Sequence, residues 1–309
     1  MIASQRRLRS TVLPGALAAL AAALCWTLSS SVWRRLPTSL SAGQLNLLKN
    51  WLALALQAPL LLLVPWTTGS GTRTTLGLLI LSGVLGIALG DSLYFAALRR
   101  LGTRRTLTLD AGGPAVTAVA GALWLAEWPT PSQWLGVGLI TAAVLLVAGQ
   151  KPSLQAPLAA GGGHQATGVA LALGALCCGS GGALLARAAL RSDGLDPLQS
   201  ASVRLAAAAV VLLPLVRGMP WGVQRPRPTQ RRWPLWLLAT LLGTSAGIAL
   251  QQMALQQLPG ALAVALLATA PVMALPLAGL EGDRPGWAGV VAALLALAGV
   301  SCVVGLLGR

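Results

Sequence analysis

Residues 85–114 read LGIALGDSLYFAALRRLGTRRTLTLDAGGP, and residues 242–271 read LGTSAGIALQQMALQQLPGALAVALLATAP. At one offset, Leu85, Gly86, Gly90, Ala97, Leu98, Leu101 and Pro114 meet Leu242, Gly243, Gly247, Ala254, Leu255, Leu258 and Pro271. Matches of Ala and Gly are common in a sequence this biased, but an ordered series ending in proline is not. The series extends both ways. Gly15, Ala19, Ala22, Cys25 and Arg34 match Gly168, Ala172, Ala175, Cys178 and Arg187. Lys49 and Pro59 match Arg204 and Pro214, while Glu127, Trp134, Gly136 and Val137 match Glu281, Trp287, Gly289 and Val290. The chain is therefore a duplication, with small shifts of offset between the matched segments.

Its composition says what is duplicated. Of 309 residues, 55% are hydrophobic and 9% charged, against about 25% charged in a soluble domain. Ten apolar runs, each about long enough to cross the hydrocarbon core, fall near 12–32, 44–65, 76–98, 106–125, 131–149, 168–190, 198–216, 235–258, 260–280 and 286–307. In lipid such runs satisfy their backbone only as helices. The expected fold is all-α and integral to the membrane: ten transmembrane helices in two five-helix repeats, 12–149 and 168–307, joined by a Pro- and Gly-bearing linker over 150–167. An odd number of crossings per repeat makes the second enter with opposite orientation. Inverted repeats are a hallmark of secondary transporters.

The net charge of +15 raises the question of nucleic acid. The arginines fall between apolar runs, as in Arg99-Arg100, Arg104-Arg105 and Arg231-Arg232, with no interleaved aromatic stripe. That is the pattern of headgroup anchors, so the expected partners are a lipid bilayer and a small molecule, not nucleic acid. Tryptophans such as Trp33, Trp66, Trp128 and Trp287 near run ends form an interfacial belt. Arg6, Arg7 and Arg9 before an apolar run resemble a signal peptide, but the repeat makes that run the first helix. Cys25, Cys177, Cys178 and Cys302 lie in apolar runs, and His164 is the only histidine; no metal site, cofactor or disulfide framework is expected. Neither a catalytic cluster nor a nucleophile elbow is present, so the chain does not read as an enzyme. It has no GxxxxGK[ST] for ATP drive.

Ionisable residues within spans cost about 2.5–3.5 kcal/mol each on insertion scales and are functional by default. Lys49 and Arg204 occupy equivalent positions; they read as a paired cationic site for an anion or as snorkelling side chains. Asp91 lies mid-run and matches Ile248. It reads as a proton site or ligand contact, or as an ion-pair partner of Lys49 or Arg204. Asp110 precedes Gly112-Gly113-Pro114, which loosens the helix, and reads as a cavity group or a helix N-terminal acid. Tyr94, with Phe95, is a candidate cavity wall. Gln252 and Gln256 share a helix face and serve either a polar substrate or an interhelical clamp. Gly86, Gly90, Gly243 and Gly247 form GxxxG packing faces. Glu127 and Glu281 read as interfacial structural contacts.

These residues resemble the EamA family of the drug/metabolite transporter superfamily. The half-signature is a basic residue early in the second helix (Lys49, Arg204), a glycine-rich third helix (Gly86 to Gly90, Gly243 to Gly247), an early proline in the fourth (Pro114, Pro271), a glutamate near its end (Glu127, Glu281) and a glycine in the fifth (Gly136, Gly289). Lys49 stands where the family usually has Arg. The resemblance implies a central cavity between the halves and export or exchange of a metabolite, with a proton as candidate coupling ion, in the plasma (inner) membrane. A lipid flippase on the same fold is the alternative. The resemblance also implies cytoplasmic termini, whereas the loop Lys/Arg balance prefers the reverse.

Overall fold

The computed structural model describes residues 2–34, 36, 40–66, 72–149, 162–191, 195–219, 233–276 and 286–305. Every regular element among them is helical. In chain order these are α1 (Ile2–Arg34), α2 (Ala42–Leu61), α3 (Thr72–Ser82), α4 (Ser92–Asp110), α5 (Gly113–Leu125), α6 (Pro131–Gly149), α7 (Gly162–Leu190), α8 (Pro197–Arg217), α9 (Trp233–Thr240), α10 (Gly247–Gln257), α11 (Gly260–Leu267), α12 (Ala270–Met273) and α13 (Gly286–Val304). Two π-helical segments, π1 (Gly83–Asp91) and π2 (Leu241–Ala246), continue α3 into α4 and α9 into α10.

Seven stretches are long and apolar enough to cross a membrane: Val12–Trp33, Thr72–Leu101, Pro131–Gly149, Ala166–Leu190, Pro197–Arg217, Trp233–Gln257 and Gly286–Val304. Three expected runs fall short. α2 carries Gln44, Asn46, Lys49, Asn50 and Gln57 along one helix, and four of the five are buried. The fourth run of each repeat is cut. Ala111 and Gly112 form a turn before α5, and Ala268 and Thr269 form one before α12. The cause is proline, which has no N–H to donate and settles in a first turn. Pro114 and Pro271 both sit there.

Other boundaries differ from the sequence reading. The helix of α4 runs on to Asp110 instead of stopping near residue 98, so Asp110 ends a helix and does not begin one. The polar Arg99–Arg105 stretch favours helix well enough by its own propensity. α7 begins at Gly162, inside the expected linker. Residues 150–161 and Glu281 lie outside the described residues.

Packing relies on small side chains, as membrane helices do without a hydrophobic force between them. Ala16, Ala19 and Ala22 of α1 and Ala254, Leu255 and Leu258 from α10 and its C-cap share one buried cluster. Backbones approach most closely beside the π segments. A Cβ on Gly182 of α7 would stand 2.8 Å from Gly86 Cα, and one on Gly83 would stand 2.7 Å from Arg204 Cα. π1 thus lies directly against α7 and α8. In the other repeat, Gly247 meets Trp26 and Gly243 meets Ser29, both on α1. A π turn shifts the carbonyl register, and neighbouring side chains meet carbonyls along both segments. Asn46 Nδ2 donates to Ile87 O at 2.8 Å, and Trp26 Nε1 to Gly243 O at 2.9 Å.

Candidate functional site

Matched caps set the register of the two basic residues. Ser41 and Gln44 form a capping box at the start of α2, and Asp196 and Gln199 form one at the start of α8. Such a cap fixes the helix start by satisfying free N–H groups. Lys49 and Arg204 follow these caps at equal spacing, about two turns in.

Their surroundings differ. Lys49 Nζ lies 2.5 Å from Asp91 Oδ2, with the side chains 12% and 35% exposed. The same ammonium stands 5.2 Å from the centroid of Phe95, a cation–π distance. Tyr94 packs edge-on to Phe95 at 6.1 Å. Asp110 is exposed and within electrostatic reach of Asp91 and Tyr94. Asp91, Lys49, Phe95 and Tyr94 lie together at the junction of α2, π1 and α4.

Arg204 is 3% exposed. Its Nη1 donates to Gln251 Oε1 at 3.2 Å, and its Nε has no partner. Among the described residues no carboxylate lies within 4 Å of it; the ion pairs there join Lys49 to Asp91, and Arg187 and Arg191 to Glu127. The paired cationic site expected from sequence is therefore two unlike sites. Lys49 is neutralised by Asp91, and Arg204 is held by an amide. The substitution responsible is Asp91 in the first repeat against Ile248 in the second, since Ile248 is a buried apolar side chain. One turn before Arg204, Ser200 Oγ donates to Gln252 Oε1 at 2.9 Å. Gln252 is fully buried and clamps α10 to α8. Gln256 is engaged through its carbonyl, which accepts from Arg187 Nη1 at 2.9 Å.

Arg187 anchors a third arrangement. Its Nε donates to Glu127 Oε1 at 2.7 Å, and its Nη1 also reaches Leu255 O at 2.9 Å. Glu127 Oε2 accepts from the backbone N–H of Gly260 at 2.8 Å, at the N-terminus of α11, where a negative charge is favoured. Arg191 Nη1 donates to Leu125 O at 2.9 Å. Glu127 is aimed by Ala126, whose φ of 54° is left-handed, and by the bond from Glu127 N to Gly121 O at 3.2 Å. The ends of α5, α7 and α10 and the start of α11 are thereby tied into one latch.

Reasoning from sequence singled out Glu127 but gave Arg187 only as a repeat match. The polar partners Asn46 and Ser200 and the close approach of Gly182 were not identified as a site. The only signal for them was polar residues recurring among apolar neighbours.

The family model of the EamA-like transporter family matches residues 13–149 and again residues 166–305. No curated protein matches by sequence. Among the solved structures similar in fold is a crystal structure with a TM-score of 0.72 at 16% identity, covering 94% of this chain and 96% of that one. Two matches that together span nearly all of the sequence place this integral, multi-pass membrane protein in the EamA-like transporter family.

Proposed function

We propose that the chain is a secondary transporter that moves a small metabolite by alternating access between two inverted five-helix repeats, 12–149 and 168–307, with ten membrane crossings. The observation that carries the reading is the unequal state of equivalent sites. The Lys49–Asp91 pair is part-exposed, whereas Arg204 and Gln252 are dry.

The positions of the two sites along the bundle support inversion. Arg204 lies about two turns inside the end of α8 that follows α7, on the side of the Glu127 latch. Lys49 lies as far inside α2, whose preceding Leu40 carbonyl accepts from Arg99 Nη2. That contact belongs to the opposite end, where Trp33 and Trp236 also meet at 5.0 Å. One end is tied by Glu127, Arg187 and Gly260, and the ion pair nearer the other end is part-exposed. Exchanging the two repeats' conformations gives the opposite state.

In this reading Asp91 is the coupling residue. The three spans that fall short by length and hydropathy are α2 and the two proline-cut runs. Their polar or broken backbone is held against protein, the setting in which such irregularity is tolerated at membrane depth.

The test is metabolite profiling of medium and cells from a bacterial host expressing wild type or Asp91→Asn. One compound class redistributed by wild type and not by Asp91→Asn is the expected result. Equal flux from both would remove Asp91 from the mechanism. Absence of flux from a correctly inserted protein would sink the metabolite reading and direct attention to a lipid substrate, tested by vesicle flipping.

A further inference from the structure

Among the described residues, no carboxylate lies within salt-bridge distance of Arg204. Arg204 sits between π1, α7, α8 and α10, where glycine clears the space around it. A Cβ on Gly86 would lie 3.3 Å from Arg204 Nη2 and 3.4 Å from Gly182 Cα. Desolvating a guanidinium is costly unless its donors are met and its charge is paired. Here one donor meets a neutral amide oxygen, and Nε meets nothing. The same seam holds a second buried donor without a partner, Gln252 Nε2, left over because Gln252 Oε1 is taken by Ser200. Ser200 and Arg204 are one turn apart on α8, and Gln251 and Gln252 adjoin on α10. The seam between these helices is rich in N–H donors and short of acceptors.

We propose that Arg204 is the subsite for the anionic group, carboxylate or phosphate, of the transported molecule, and that Lys49 is not. This rests on the transporter reading and names the chemistry of its substrate. The guanidinium offers a planar fork that a carboxylate or phosphate matches with two parallel hydrogen bonds. Nε and an Nη make such a fork, and Nε is free. Lys49 is unsuited because Asp91 already occupies it. Gln252 Nε2 adds a neutral donor on the same seam. Asp91, within electrostatic reach of Arg204, disfavours a permanently bound anion and so permits release.

The probes are acetate and inorganic phosphate, with choline as the cationic control. Each is titrated onto full-length protein in phosphatidylcholine nanodiscs while thermal unfolding is followed by tryptophan fluorescence. Wild type and Lys49→Gln are expected to show a saturable rise in melting temperature with at least one of the anions and none with choline. The half-saturating concentration is expected to rise at least about tenfold in Arg204→Gln and severalfold in Arg204→Lys, which keeps the charge and loses the fork. Should Arg204→Gln fail to fold, Arg204→Lys carries the test, and an unchanged response in it overturns the proposal. So does the absence of a saturable anion response in wild type, or an equal response in Arg204→Gln. A rise produced only by adding phosphatidylglycerol to the nanodisc would assign the site to a lipid headgroup and overturn the transported-molecule reading. The flux assay remains independent. A transported neutral or cationic compound sinks this subsite and leaves the transporter, whereas anion binding without any flux does the reverse.

Discussion

The Lys49 region of the first repeat and the Arg204 region of the second start from the same plan and end in different chemistry. Both follow a capping box, sit at the same depth in an equivalent helix and face a π-helical segment. At repeat-equivalent positions, π1 and α4 carry Asp91 and Phe95 where α10 carries Ile248 and Gln252. The first becomes a part-exposed ion pair, and the second a dry cation held by an amide. Duplication supplies a matched architecture, and a few side chains decide which half carries a neutral pair and which keeps an open charge.

The largest effect belongs to the latch, present in described form at one end only. Glu127→Ala leaves Arg187 buried without its acid and removes the acceptor for the Gly260 N–H. Breaking a buried pair on one side costs about 3–5 kcal/mol, read as a large fall in melting temperature in detergent or nanodiscs. Glu127→Arg with Arg187→Glu is expected to recover little, because Arg187 also serves Leu255 and Gln256 carbonyls. Full recovery would mean the charge pair alone matters.

Ile248→Asp makes the second half resemble the first. The new carboxylate is expected to pair with Arg204 and weaken the anion response about tenfold, or about 1.4 kcal/mol. An unchanged response in a folded variant would break the equivalence of the two positions. A smaller effect is expected from a double-mutant cycle of Lys49→Gln and Asp91→Asn. The pair is only part-buried, so its coupling should be about 1 kcal/mol after allowance for solvent, measured by unfolding of the four proteins. Near-zero coupling would make the ion pair incidental. The smallest effect is Ala126→Gly. Relief of a left-handed alanine, offset by the backbone entropy of glycine, should stabilise by about 0.5 kcal/mol, with no change in flux.

Much of this was legible in the sequence because lipid simplifies the code. Runs of apolar residues must be helices, and an ordered series of Gly, Pro, Glu and basic residues found twice is a repeat. The pairing of Asp91 with Lys49 was one of two options at that stage. What misled was treating each apolar run as one rigid rod. Pro114 and Pro271 are preceded by turns at equivalent places, and α4 continues through a polar stretch that looked like a connection. Helix boundaries depend on local hydrogen-bond competition, which hydropathy does not encode.

The sequence by itself determined the class of protein, the duplication and the short roster of costly charges, because each follows from composition, order or the energy of charge in lipid. Only the tertiary structure decided which charges meet. Lys49 could have found Asp91 or a substrate, Arg204 could have found Asp91, and Glu127 could have faced headgroups. The choice depends on rotation about helix axes, on π turns that shift the register of side chains, and on glycines that let backbones close to van der Waals contact. Those are properties of packed helices, set by contacts between residues far apart in the chain.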